Sequence, residues 1–71
     1  MDYPVIYEET PTGFSAYLPD LPGCVAAGAT RREVERPIRS AVEMHFAGMR
    51  EDGEPLPSAS TRAGTVTVAR G

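Results

Sequence analysis

Any chemistry in this chain must come from a short set of side chains: one histidine, one cysteine, and small groups of carboxylates and arginines. His45 titrates nearest to neutrality and is the one general acid–base candidate. A catalytic histidine needs an orienting carboxylate and a nucleophile within reach, and the sequence offers neither at a recognisable spacing. His45 falls inside an apolar helical stripe and reads as a packed histidine. Cys24 would need a nearby cation or helix N-terminus to become a reactive thiolate. It opens a strand of small residues and reads as a small buried hydrophobe. A single cysteine excludes an intrachain disulfide, and with one histidine it cannot complete the four nitrogen or sulfur ligands of a structural zinc. No metal and no cofactor is expected. The carboxylate pairs Glu8-Glu9 and Glu51-Asp52 stand at element ends, where neighbouring side chains point different ways and stay solvated.

The arginines are the remaining group. Arg32, Arg36 and Arg39 share an outer helical face with Arg31 beside them, and such a face can meet phosphates without regard to sequence. Glu35 four residues before Arg39, and Glu43 four after it, predict a salt-bridged face instead, each pair contributing about 0.2–0.5 kcal/mol. No glycine-rich phosphate loop, nucleophile elbow or metal cluster is present. The reading is a non-enzyme, with protein contact or weak RNA contact as what this face could do.

The elements that would position these groups follow from local chemistry. Tyr3 to Glu8 is aromatic and β-branched, with Pro4 where a strand start tolerates a missing N–H. Thr10-Pro11-Thr12-Gly13 is a hairpin loop. Phe14, Ala16 and Leu18 alternate with Ser15 and Tyr17, which predicts a strand over 13–18 with one face on a core. Leu21-Pro22-Gly23-Cys24 suits a type II turn, with proline presetting φ and glycine taking the positive φ, so Cys24 to Ala29 returns antiparallel as a strand small enough for a helix to lie close above it.

Thr30-Arg31-Arg32-Glu33 is a capping box, with Glu33 reaching back to the Thr30 amide. From there Val34, Ile38, Ala41, Val42, His45 and Met49 fall within a stripe about 100° wide. Gly53 stops the helix from a left-handed C′ position. Pro37 removes one helical bond and costs about 3 kcal/mol in a straight interior; a kinked continuous helix is expected. Glu54 to Gly64 is rich in turn formers and predicts an exposed connection, and Thr65 to Ala69 alternates as a fourth strand. Apolar residues would then occupy both sheet faces. Phe14, Ala16 and Leu18 would face the helix, and Tyr17 with, depending on register, Ile6, Val25 and Ala27 the other side, where a second chain is the natural cover.

The chain has 71 residues, ten acidic side chains, seven arginines and no lysine, for a net charge of −3. A single domain over 1–71 is expected, and a chain this short buries only about 60% of its unfolded surface, so a partner subunit is the natural staple. The mild acidity disfavours general nucleic-acid binding and favours a basic partner. With no apolar run near eighteen residues and no basic, apolar leader, no membrane association and a cytoplasmic location are expected.

Read together, Tyr3-Pro4-Val5-Ile6, the segment Tyr17-Leu18-Pro19-Asp20-Leu21-Pro22-Gly23-Cys24, Gly28-Ala29-Thr30 with Glu33, and Ala41-Val42-Glu43-Met44-His45 running to Glu51-Asp52-Gly53-Glu54-Pro55-Leu56-Pro57 resemble the HicB antitoxin family. The resemblance covers about residues 3–57. It implies an α+β, two-layer β-β-β-α-β domain, self-association, and binding to a small HicA-type toxin that cleaves RNA, whose active site the antitoxin blocks. Many members carry a second, DNA-binding domain, for which residues 1–71 leave no room, so direct DNA binding is not expected. Within the motif Tyr17, Pro19, Asp20, Pro22, Gly23, Gly28, Thr30, Glu33 and Gly53 are structural. The candidate self-association or partner surface is Ile6, Tyr17, Val25 and Ala27 with Arg32, Arg36 and Arg39. An orphan regulatory oligomer without a toxin is the alternative.

Overall fold

The computed structural model describes residues 2–69. Three strands, β1 (Ile6–Thr10), β2 (Gly13–Tyr17) and β3 (Val25–Gly28), precede one helix, α1 (Arg31–Glu51). The sheet is antiparallel in the order β1-β2-β3, and the helix packs on one of its faces, giving the expected two-layer α+β arrangement. The first strand starts and ends later than its composition predicts. Thr10 pairs with Gly13, so the hairpin loop is only Pro11-Thr12 and pairing runs to Thr10. Residues 3–5 serve the core instead: the rings of Tyr3 and Phe46 stand 5.6 Å apart, and Val5 packs against the buried cluster.

Two turns in series join β2 to β3. The Leu21 amide donates to the Leu18 carbonyl at 3.1 Å, and the Cys24 amide to the Leu21 carbonyl at 3.2 Å. The second is the expected type II turn, with Gly23 at φ +94°, a region other residues reach only with strain. The turns fold Leu21 inward, so that Ala16, Leu18, Leu21, Cys24, Val34 and Ile38 form the buried core.

Thr30 caps α1, its hydroxyl accepting from the Glu33 amide at 3.2 Å. The other half of the capping box differs from expectation: the Glu33 carboxylate accepts from the Ala29 amide at 3.0 Å, one residue earlier, because Ala29 belongs to the bend leaving β3 and its amide has no ladder partner. The helix runs unbroken through Pro37. That residue is exposed, so the Glu33 carbonyl it deprives of a bond lies where water can serve it. Gly53, at φ +71°, ends the helix: its amide donates to Arg50 and that of Glu54 to Met49, the paired bonds of a Schellman motif.

Val34 and Ile38 are buried, whereas Ala41, Val42, His45 and Met49 are only half-buried. Twenty-one residues make a helix about 31 Å long, while five-residue strands span about 17 Å. The helix therefore outruns the sheet, and its second half lacks a floor. The fourth strand predicted over Thr65 to Ala69 does not form. Alternation supplies propensity, but a strand exists only through a partner ladder, and this segment pairs with neither sheet edge. Val66 and Val68 are 86% and 73% exposed, and the molecule is drawn out to 54 × 27 × 16 Å.

Candidate functional site

The antiparallel register decides what each sheet face can do. Residues directly opposite share a face, so Tyr7, Ala16 and Ala26 form one row across the three strands and Ile6, Tyr17 and Val25 the next. The first row lies under the helix, with Ala16 fully buried. The second lies on the outer face, where Ser15 and Ala27 continue it. Tyr17 is 39% and Val25 66% exposed, and a shallow depression of about 430 Å³ opens over Ser15, Tyr17, Val25 and Ala27. Among the described residues no helix or strand covers this face. Glu8, paired with Ser15, brings a carboxylate onto it, while Glu9, next in sequence, takes the opposite side.

Gly28 explains how the other face closes. A Cβ there would come within 3.2 Å of both the Glu33 Cβ and a Val34 methyl, so the bare glycine lets the first turn of α1 settle onto β3. Pro22 and Gly23 set the turn, and Thr30, Glu33 and Gly53 bound the helix. Pro19 lies exposed in the first turn, and Asp20 next to it binds the segment after the helix. The motif residues thus position elements and present no reactive group to a cleft.

The arginine face is present but less paired than its sequence predicts. Arg32, Arg36 and Arg39 are exposed, and among the described residues the one ion pair is Arg31 with Glu35, at 4.0 Å. Glu35 is thereby drawn toward Arg31 and away from Arg39. Arg31 also lies over the Tyr7 ring, its guanidinium carbon 4.5 Å from the centroid. A cation–π contact of this kind contributes about 0.5–1 kcal/mol and ties the helix start to β1.

A groove of about 730 Å³ runs between β1 and α1, with Val5, Tyr7, Ile38, Val42 and Phe46 along its apolar wall and Arg36, Arg39, Glu35 and Glu43 among the charges at its rim. Sequence reasoning missed it, because Phe46 falls about 40° outside the helical stripe counted from Val34. The signal was there in the i, i+4, i+8 run Ile38, Val42, Phe46. His45 is half-buried and lies outside the groove. The Cys24 thiol is buried, 3.9 Å from the Ala41 carbonyl, and burial pushes its pKa up, the opposite of what a nucleophile needs. No group of histidine, cysteine and carboxylate side chains that could hold a metal is found among the described residues, and no helix is long and apolar enough to cross a membrane.

Comparison with known proteins gives a consistent picture. Residues 3–68 match the family model of the HicB-like antitoxin of bacterial toxin–antitoxin systems. A 14.9 kDa protein from the rep-hol intergenic region of Haemophilus phage HP1 (strain HP1c1) is 38% identical over 60 residues, covering 84% of this chain and 45% of the relative. Antitoxin HicB 2 of Photorhabdus laumondii subsp. laumondii is 34% identical over 62 residues, covering 87% of this chain and 45% of that protein. The chain thus spans about half the length of these curated relatives. A chain of the solved HicA3 and HicB3 toxin-antitoxin complex superposes with a TM-score of 0.66 at 33% identity, over 84% of this chain and 70% of that one.

Proposed function

The chain belongs to the HicB-like antitoxin family of bacterial toxin–antitoxin systems, and from that premise we propose that it works by binding and not by catalysis, holding a small HicA-type toxin and covering its RNA-cleaving site. The observation that carries this reading is the match to a chain of the HicA3 and HicB3 complex, alike in fold and one-third identical in sequence. The molecule itself supports a binding role. It presents an open apolar row, Ile6, Tyr17 and Val25, beside the carboxylate of Glu8, and its net charge of −3 favours approach by a basic protein.

The same outer face serves self-association. A sheet covered on one side only leaves apolar surface that a second copy or the toxin removes from water, at about 25 cal/mol per Å² buried. Both contacts draw on Ile6, Tyr17, Val25 and Ala27, whereas Arg36 and Arg39, at the rim of the groove beside α1, lie on the other side of the sheet.

The deciding experiment is an RNA-cleavage assay with the toxin encoded in the adjacent reading frame. Purified chain in micromolar excess is expected to stop cleavage and to co-purify with the toxin. Continued cleavage under excess would remove the proposal. Direct RNA contact through Arg32, Arg36 and Arg39 is the second reading, favoured by their lack of ion pairs among the described residues. It predicts RNA affinity that falls steeply with salt, and no binding at low salt would dismiss it.

A further inference from the structure

Asp20 is a motif residue whose bonds reach a segment far along the chain. It sits in the turn closed by the Leu21 amide on the Leu18 carbonyl, at the end of the sheet where β2 finishes and β1 begins. Its carboxylate accepts four hydrogen bonds from two consecutive residues about forty positions later. One oxygen takes the backbone amides of Ser60 at 3.3 Å and Thr61 at 3.2 Å. The other takes the hydroxyls of Ser60 at 2.9 Å and Thr61 at 2.8 Å. All four partners are donors, and an ionised carboxylate, which only accepts, satisfies them together.

The surroundings show what this bond set fastens. Upstream, the Tyr3 hydroxyl donates to the Pro57 carbonyl, and Pro57, Ala59 and Thr61 are each half-buried, alternating with exposed Ser58 and Ser60. From Arg62 to Ala69 every residue is exposed. The attachment of the post-helix segment to the folded body therefore ends at Thr61, where Asp20 makes its last bonds.

We propose that Asp20 is a clasp: a positioning residue that binds the Ser60-Thr61 pair, holds residues 57–61 against the end of the sheet, and makes Thr61 the fixed point from which the following chain departs. Opening the clasp frees this segment as a unit while the helix and sheet stay packed. The core residues Leu18 and Leu21 flank Asp20 but are held by burial, which the clasp does not supply. The proposal rests on these bonds and not on the antitoxin reading.

Hydrogen exchange resolved to single amides, on the full chain and two variants, tests it. In Asp20→Ala the Ser60 and Thr61 amides are expected to exchange roughly fivefold faster or more, the loss of about one net hydrogen bond each, while the amides of residues 38–49 hold their rates. Ser60→Ala/Thr61→Ala, which removes only the hydroxyl donors, should show a smaller rise at the same two amides. Unchanged Ser60 and Thr61 rates in Asp20→Ala would overturn the proposal. So would an equal rise across the helix and sheet in both variants, because the carboxylate would then belong to the core's own stability. If Asp20→Ala does not fold, the double variant decides alone by the same two criteria.

Discussion

The two faces of the sheet are built from the same three strands and both carry apolar residues, yet one is shut and the other open. Ala16 and Ala26 on the inner row lie against α1, and Gly28 lets that helix come close. One residue along each strand, Tyr17 and Val25 stand in solvent. Hydrophobicity does not separate the faces, since Val25 is more apolar than Ala16. What separates them is α1, the one covering element among the described residues. An alternating strand therefore fixes which residues share a face, while the next element decides which face becomes core.

Substitutions on the two faces should diverge accordingly. The largest effect is expected from Leu21→Ala, which empties a fully buried site. Loss of such a side chain costs about 2–5 kcal/mol, seen as a lower urea midpoint, and a loss below 1 kcal/mol would mean the inner face is not the stabilising one. Gly28→Val comes next, because its Cβ starts 3.2 Å from Val34 and Glu33 and overpacking of this kind costs about 1–3 kcal/mol. A thermal melt checks it, with roughly 4–8 °C expected per kcal/mol in a domain of this size.

On the open face, Val25→Ser should change the stability of the isolated chain by no more than about 0.5 kcal/mol while weakening self-association by light scattering and toxin capture by pull-down. A Val25→Ser chain that melts as low as Leu21→Ala would erase the distinction between the faces. The smallest effect is on neither face. Hydrogen bonds, that of the Thr61 hydroxyl foremost, hold the Asp20 carboxyl below its ordinary range. A carboxylate lowered in the folded state contributes above its unfolded pKa and loses that contribution as pH falls through the folded one. An acid titration followed by NMR should thus loosen Ser60 and Thr61 below the ordinary carboxylate range and leave them bound above it.

Much of this was legible in the residues, for a reason common to the successes. Pro22-Gly23, Thr30 and Gly53 act through their own backbone or the next few residues, and their turn, cap and stop are where the sequence puts them. The row Ile6, Tyr17, Val25 was legible only in part, because alternation fixes parity within a strand while the register between strands is set by the pairing itself. What escaped involves partners distant in the chain. Asp20 reads as a turn residue until Ser60 and Thr61 arrive from forty positions away. Thr65 to Ala69 has a strand's pattern and no ladder to join. The connection after the helix, read as merely exposed, is tied at Tyr3 and at Asp20. His45, central in the helical stripe, is only half covered because the sheet beneath it has ended.

The place of Cys24 gives the molecule a record of its own opening. It is the chain's lone cysteine, buried between the second turn and the Ala41 carbonyl, so the sulfur of a folded copy is out of reach of another chain. A disulfide between two chains requires that Cys24 first be uncovered in both. Covalent dimers gathering in an oxidising preparation therefore count excursions from native packing.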